Sequence, residues 1–180
     1  MTDPNFHSPE AHARYANRIY HGLFADSPNA YLVMTPDLVI INGNTAYLDA
    51  TGMTRDELAS RYIFDVFPDN PTDPNATGVR NLTASFIRAR DQRRRDTLPL
   101  QRYDLCHNGV WTRCFWYPDN WPILDDDGTV VAIIHHTKPA KVPHEVGDLV
   151  EQTRRLLDTT TAIANDLQAM VERFDRSTTR

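Results

Sequence analysis

Hydrophobic residues recur along the chain at spacings that change twice, and these changes divide the 180 residues into three regions. In the first region, residues 1–26, apolar side chains follow helical spacing and predict an amphipathic helix capped by Ser8. Tyr15, Ile19 and Leu23 form one stripe on this helix. A lone helix cannot bury such a stripe, so we expect it to pack against the rest of the chain or against a partner.

The second region, residues 27–138, mixes short β-type runs with short helices. The runs AYLVMT and LVII are separated by Pro-Asp, so they predict two strands joined by a tight turn. A short helix is expected to end at Gly52, and Thr54 with Glu57 has the spacing of a capping box at the start of the next helix. A longer helix is predicted over residues 75–94.

Three further β segments close this region: TLPLQRYDLC, VWTRCFWY and TVVAIIHHT. The first two are joined by HNG and the last two by a longer loop that closes on DDDG, and Asn-Gly and Asp-Gly are favoured in hairpin turns. The pattern predicts three consecutive antiparallel strands and an α+β fold. Cys106 and Cys114 do not lie opposite each other on the first hairpin, so we expect no disulfide.

The third region, residues 139–180, begins with a proline-containing linker and continues as one long helix. From Val146 to Phe174 there is no proline, and apolar residues recur every seven positions. Such heptads are typical of a helix in a bundle or coiled coil, so we expect self-association. The candidate dimer interface combines this face with the N-terminal stripe: Tyr15, Ile19, Leu23, Leu149, Leu156, Leu157, Ile163, Leu167 and Met170.

Composition narrows the classes of function. The formal charge of −5 argues against nucleic-acid binding, and the basic run at residues 88–96 is interpreted as the end of a helix. No apolar run approaches the ~20 residues that span a bilayer, and the first residues lack the pattern of a secretory signal. We therefore expect a cytoplasmic protein with no membrane partner.

The motifs of common enzyme classes are missing. The sequence contains no G-x-S-x-G, H-E-x-x-H, Walker-type or G-x-G-x-x-G motif, and DDDG lacks the spacing of an EF-hand calcium loop. We predict no catalytic residue and no metal site. A small enzyme would need titratable groups that converge in a pocket, for which the sequence offers scattered candidates such as Asp104 and His135.

The order of elements and the sequence motifs of residues 23–137 resemble those of the PAS sensory domain. Four motifs carry the resemblance: Asn-x-Ala-Tyr at residues 44–47, T-G-x-x-x-x-E-L at 51–58, VFPDNP at 66–71, and W-x-P-x-N-x-P-x-L-x-x-D-G at 116–128. The resemblance implies a five-stranded antiparallel sheet with short helices on one face, flanked by an N-terminal amphipathic helix and a long C-terminal helix. The last two motifs resemble a bacterial subgroup that typically sits ahead of histidine kinases or other signalling modules.

The chain departs from the PAS pattern after the last strand. PAS domains often carry an Asp-x-Thr step there, which ties the core to the exit helix. This chain has HHTKPAK instead, with Pro139 near the place of the Asp. The exit contact must therefore be built differently, or signalling through it is weakened.

Family geometry and strand alternation imply a candidate ligand pocket, formed by Tyr31, Tyr47, Phe67, Phe86, Phe115 and His135. On the aromatic strand, Phe115 shares one face with Tyr117, while Trp116 takes the other face. Core packing together with dimer contacts would explain these aromatic residues without a ligand. A small-molecule pocket lined by some of these residues is the more specific of the two interpretations.

The identity of any cofactor is open. Haem is disfavoured, because haem-binding PAS domains commonly take their ligand from the long helix, and residues 75–94 contain no histidine. A covalent flavin adduct is disfavoured, because the segment that carries the reactive cysteine in flavin photoreceptors is DVFPDNP here and has none.

The resemblance therefore predicts a non-catalytic sensory module that relays the binding of a small molecule or a partner through its terminal helices. The expected partner is a second copy of the chain, and a histidine kinase or another signalling protein is a further candidate. An alternative is a ligand-free scaffold that dimerises or docks a kinase and has a filled interior.

Overall fold

The computed structural model describes residues 8–141 and 144–178. The chain divides into two compact units, residues 1–140 and 141–180. The first unit includes helix α1 (Pro9–Ala25), which the sequence pattern separates as a region of its own. The second unit contains helix α6 (His144–Thr178), the long helix that the heptad pattern predicts.

The first unit alternates short helices with antiparallel strands. Strands β1 and β2 open the sheet and four helices follow: β1 Ala30–Met34, β2 Ile40–Gly43, α2 Thr45–Thr51, α3 Arg55–Leu58, α4 Ile63–Val66 and α5 Gly78–Asp91. Six further strands complete the unit: β3 Asp96–Thr97, β4 Gln101–Arg102, β5 Leu105–His107, β6 Val110–Thr112, β7 Phe115–Leu124 and β8 Val130–Pro139.

The main sheet has the order β2-β1-β8-β7-β3, and β4 also pairs with β7. All of these pairings are antiparallel, so the expected α+β architecture is confirmed. The sheet is five strands wide, because β3 and β4 occupy successive stretches along the same edge of β7. Its inner face and the helices enclose the core, whose largest fully buried side chains include Phe86, Leu32, Met34, Ile40 and Ile133.

The predicted helix signals at α2 and α3 are confirmed. Asn44 caps α2 with its side-chain oxygen on the backbone N–H of Tyr47, and Gly52 ends the helix in the left-handed region at φ 66°. Thr54 and Glu57 form the reciprocal capping box of α3. Local hydrogen bonds between neighbours in sequence dictate these ends, which is why their signature is readable in the sequence.

Helix α5 begins at Gly78, three residues after the predicted start at residue 75. The carboxylate of Asp73 accepts the backbone N–H of Asn75 in a turn that precedes the helix. The side chain of Asp69 accepts the backbone N–H of Val79 in the first turn of α5. A Cβ on Gly78 would lie 2.3 Å from the ring of Tyr103, so any other residue at this first position of the helix would force the ring to move.

Strand β7 is longer than the sequence pattern predicts. The pattern ends this strand at Tyr117, whereas β7 continues to Leu124 through Pro118 and Pro122. The carbonyl of Pro118 accepts the backbone N–H of Leu98 at 2.9 Å. The nitrogen of Pro118 faces the same side, where β3 and β4 leave a gap, so the missing N–H breaks no continuous ladder.

The segment TLPLQRYDLC is predicted as one strand, but it forms three short ones. Pro99 lies between β3 and β4 and cannot donate a hydrogen bond to a ladder. Strand β5 leaves the main sheet and pairs with β6 in a separate two-stranded hairpin. In this hairpin Cys106 pairs with Trp111.

Two glycines allow a matched test of the turn that ends α2. Gly52 and Gly109 both have positive φ, 66° and 78°, which costs an alanine about 1–2 kcal/mol. A Cβ on Gly52 would also lie 2.7 Å from Cε1 of His107, whereas a Cβ on Gly109 would meet nothing within 4 Å. We expect Gly52→Ala to lower the free energy of unfolding in urea by about 1 kcal/mol more than Gly109→Ala does.

The added variant His107→Ala should remove most of this difference, because it deletes the ring that the new methyl group meets. Equal losses from the two glycine substitutions in the wild-type background would contradict a tight contact between the end of α2 and the hairpin.

Candidate functional site

A cavity lies between the inner face of the sheet and the short helices. Helices α2, α4 and α5 contribute to one wall, and strands β4, β7 and β8 to the other. The volume open to the centres of water-sized molecules is about 40 Å³. The lining residues are Tyr47, Thr51, Ile63, Phe67, Leu82, Gln101, Tyr103, Leu105, Trp116, Pro118, His135 and Thr137.

The sheet wall of the cavity carries His135. Its side chain is 4% exposed, and its Nδ1 lies 2.7 Å from Oδ1 of Asn120 on the neighbouring strand. Burial lowers the pKa of His135 to about 3, because a charged imidazolium would lose its hydration here. At neutral pH the ring is therefore uncharged, with one nitrogen that donates and one that accepts a hydrogen bond.

The helix wall carries Tyr47, whose ring meets that of His135 edge to face at a centroid distance of 6.1 Å. Burial raises the pKa of Tyr47, so its phenol stays protonated. The hydroxyl of Tyr103 donates to the backbone carbonyl of Phe67, and the indole N–H of Trp116 donates to the carbonyl of Tyr103 at 2.9 Å. These bonds hold the aromatic part of the wall in place.

Three polar groups of the cavity have no hydrogen-bond partner among the described residues. They are the hydroxyl of Tyr47, the hydroxyl of Thr137 and Nε2 of His135. Buried polar groups are almost always hydrogen-bonded, and leaving one unpaired costs about 1–3 kcal/mol. The cavity thus offers two hydroxyl groups and one imidazole nitrogen to a small polar molecule.

The structure brings together three of the six residues expected in the pocket: Tyr47, Phe67 and His135. Phe86 is fully buried behind them, with its ring 5.4 Å from that of His135, and does not line the cavity. The other two are farther away. Tyr31 pairs with His136 and contacts Trp121 on the outer face of the sheet.

Phe115 is buried, but on β7 it alternates with Trp116, and it is Trp116 that lines the cavity. Strand alternation places Phe115 and Trp116 on different faces, and the face that lines the cavity is that of Trp116, not the expected one of Phe115. Alternation tells which residues share a face, but not which face turns inward. The polar lining residues Gln101 and Thr137 are also missed by reasoning from aromatic residues.

Both terminal helices present apolar side chains to solvent. On α1, Ile19 and Leu23 are exposed, and Tyr15 is half-buried. On α6 the heptad stripe is exposed along its length: Leu149, Leu156, Leu157, Ile163, Leu167 and Met170. These residues are the dimer-interface candidates of the sequence analysis, and each helix carries them on its own surface.

Within residues 8–141 and 144–178, no group of three or more His, Cys, Asp or Glu side chains is placed to hold a metal ion. No helix in the same part of the chain is long and apolar enough to cross a membrane.

No family model and no curated protein matches the chain, but solved structures match it in shape. The PAS domain of a protein from Colwellia psychrerythraea is 14% identical over 69% of this chain and 97% of its own, with a TM-score of 0.55. A PAS domain of an HTR-like protein from Haloarcula marismortui is 13% identical over 73% and 97%, with a TM-score of 0.52. A PAS domain from a two-component sensor histidine kinase is 12% identical over 71% and 99%, also with a TM-score of 0.52. At these identities the likeness is one of fold.

Proposed function

We propose that this chain, which has the PAS fold, is a cytoplasmic, non-catalytic sensory module that works as a homodimer and relays the binding of a small molecule through its terminal helices. The proposal rests on the cavity between the sheet and the short helices, where three polar groups have no hydrogen-bond partner among the residues that the structure describes. The similar PAS domain from a two-component sensor histidine kinase supports a histidine kinase as the downstream partner.

The size of the cavity limits the ligand. A water molecule needs about 10–15 Å³ of such volume, so about 40 Å³ accommodates three waters or a ligand of a few non-hydrogen atoms. Haem or flavin would require the helices and the sheet to move apart. The geometry therefore favours a small polar ligand over a large prosthetic group.

The terminal helices form the interface of the proposed dimer. Helix α6 has 35 residues and is about 52 Å long at 1.5 Å per residue. It exposes an apolar stripe with a seven-residue period, which is the pattern that a second copy of the same helix covers in a coiled coil. Self-association buries this stripe without requiring any other partner.

Substitution of Ile163 tests the dimer. Ile163 lies on the stripe of α6, so Ile163→Glu places a charge in the seam of every dimer. We expect light scattering to report twice the mass of one chain for the wild type, and at least a tenfold weaker association for the variant. Ala162→Glu adds the same charge on the opposite side of the same helix and should stay dimeric.

A wild-type protein that is monomeric at about 100 µM would contradict the homodimer. If Ile163→Glu and Ala162→Glu weaken association equally, the stripe is not the interface.

The small volume of the cavity also keeps the ligand-free scaffold as the second candidate, because an interior with little free space needs no ligand. Native mass spectrometry of the purified 180-residue chain, followed by thermal unfolding with a library of small polar molecules, separates the two. A bound molecule or a raised melting temperature supports the sensor. No bound molecule and unchanged melting throughout would overturn the sensor and leave the scaffold.

A further inference from the structure

A chain of hydrogen bonds runs from the protein surface to the cavity. It begins at Arg88 and Asp96, continues through Ser85 and Asn120, and ends at His135. Asn120, Ser85 and His135 are buried, and the Arg88–Asp96 pair lies at the outer end. We call this set of five residues the relay. Which group donates and which accepts at each hydrogen bond of the relay follows from the number of protons that each side chain carries.

At the outer end of the relay, the carboxylate of Asp96 can only accept a hydrogen bond from Ser85. Arg88 donates from Nε and a terminal nitrogen to the two carboxylate oxygens of Asp96, both at 2.8 Å. These bonds hold the pKa of Asp96 below its ordinary value, so the carboxylate is ionised and has no proton to offer. Ser85 must therefore donate its one hydroxyl proton to Asp96, at 2.5 Å.

The inner steps follow from this one. Since the proton of Ser85 is committed to Asp96, the oxygen of Ser85 accepts from Nδ2 of Asn120, at 2.7 Å. This contact fixes which way the amide faces, and it turns Oδ1 of Asn120 toward His135. An amide oxygen only accepts, so Nδ1 of His135 carries the proton. In a neutral ring Nε2 is then an acceptor.

We infer that the cavity selects small, uncharged ligands that donate a hydrogen bond to Nε2 of His135, and that Asn120 is the positioning residue that keeps His135 in the accepting tautomer. This inference rests on the proposed ligand-binding function of the cavity. The ligand class includes primary amides, alcohols and compounds with a neutral N–H group.

The surroundings of His135 agree with an uncharged ligand. The described lining residues include no Asp, Glu, Lys or Arg, so the cavity has no countercharge for an ion. Burial of an unpaired ion costs far more than burial of a neutral polar group. The hydroxyl groups of Tyr47 and Thr137 can each both donate and accept, so they are able to pair with the remaining polar atom of a small donor ligand.

Three probes of equal size and different chemistry test the ligand class: acetamide, acetone and acetate. Acetamide is a neutral donor, acetone is neutral without a donor, and acetate is an anion. Titration of the ¹⁵N-labelled 180-residue chain by NMR gives the affinity from the change in chemical shift of Nε2 of His135. We expect acetamide to bind about tenfold more tightly than the other two probes, the effect of one hydrogen bond to a buried acceptor.

The tautomer is read in the same sample before any probe is added. Long-range ¹H–¹⁵N correlation distinguishes the protonated nitrogen of His135 from the unprotonated one. We expect the proton on Nδ1. A proton on Nε2 in the free protein overturns the inference, whatever the probes do.

Variants of the outer end test the relay without touching the cavity wall. Asp96→Asn supplies an amide that can donate a hydrogen bond to Ser85, so every donor and acceptor along the relay can exchange roles and His135 can adopt either tautomer. The preference for acetamide over acetone should then fall to about threefold or less. Asp91→Asn removes an exposed carboxylate at the end of α5, the helix that carries Ser85 and Arg88, and should keep the wild-type preference. An Asp96→Asn protein with an unchanged tautomer and preference overturns the role of the relay.

Failure of the inference is distinguishable from failure of the proposed function. Equal binding of acetamide and acetone means that the cavity is a ligand site but does not select donors. No binding by any probe, with the resonances of all lining residues unchanged, counts against the cavity as a ligand site and so against both.

Discussion

Asn44→Ala is expected to lower the free energy of unfolding of the first unit by about 3–5 kcal/mol, from the lost helix cap together with several buried or partly buried backbone groups left unpaired. Asn44 is fully buried, and its Oδ1 accepts the backbone N–H groups of Tyr31 at 2.9 Å and Tyr47 at 3.0 Å. Its Nδ2 donates to the carbonyls of Asn29 at 2.7 Å and Phe24 at 3.0 Å. One side chain thus joins the end of α1, the start of β1 and the start of α2.

Urea unfolding followed by circular dichroism measures the loss. Asn17→Ala, at an exposed position on α1, is the matched control and should stay within about 0.5 kcal/mol of the wild type. Asn44→Asp keeps the acceptor that caps α2 but faces two carbonyl oxygens with a carboxylate, so it should also be strongly destabilising. A loss of about 1 kcal/mol for Asn44→Ala, no more than a simple helix cap, would mean that the bonds to α1 contribute nothing.

The second large effect is a pH dependence of stability caused by His135. Its pKa is about 3 in the folded protein, lowered chiefly by burial, against about 6.5 for an unfolded histidine. Between these values the unfolded state binds the extra proton, so stability falls as the pH decreases. From pH 7 to pH 5, His135 alone should remove about 2 kcal/mol from the free energy of unfolding.

The range from pH 7 to pH 5 keeps the carboxylates out of the measurement. The carboxylates whose pKa values are lowered, Glu57, Asp96 and Asp104, lose their contribution only at more acidic pH. The pKa of His136 is also lowered by burial, so its effect has the same sign as that of His135.

His135→Gln separates the contribution of His135 from the rest. The variant should have a clearly shallower loss of stability between pH 7 and pH 5, and because slopes are compared, a lower absolute stability of the variant does not affect the result. His21→Gln, at an exposed position on α1, should keep the wild-type slope. Identical slopes for wild type and His135→Gln would mean that this imidazole becomes protonated without penalty, and so is not buried as described.

Much of the fold is readable in the sequence, since it depends on neighbours. The turn between β1 and β2, the cap at Asn44, the capping box at Thr54 and the stop at Gly52 are local features, and the structure has all of them. The heptads of α6 are local in the same sense. The errors occur where distant segments meet: β7 passes through Pro118 because the strand beside it is interrupted.

The site is less readable than the fold. Tyr47, Phe67 and His135, which family geometry implies as pocket residues, line the cavity. Trp116 lines it in place of Phe115, because the packing of other elements against a strand decides which of its faces points toward the core. The relay has no sequence signature. Ser85, Asp96 and Asn120 come from a helix and two strands, and no spacing between them is characteristic of any motif.

The amino-acid sequence by itself determined the helix ends, the two opening strands, the α+β order and the exposed heptads, because propensity, capping and periodicity act between residues close in the chain. Only the tertiary structure decided which aromatic residues face the cavity and that Pro118 lies within a strand. It also decided that five side chains from four separate elements form one chain of hydrogen bonds that ends at His135. Hydrogen-bond direction depends on which groups meet in space, and that is settled only when the sheet and the helices pack together.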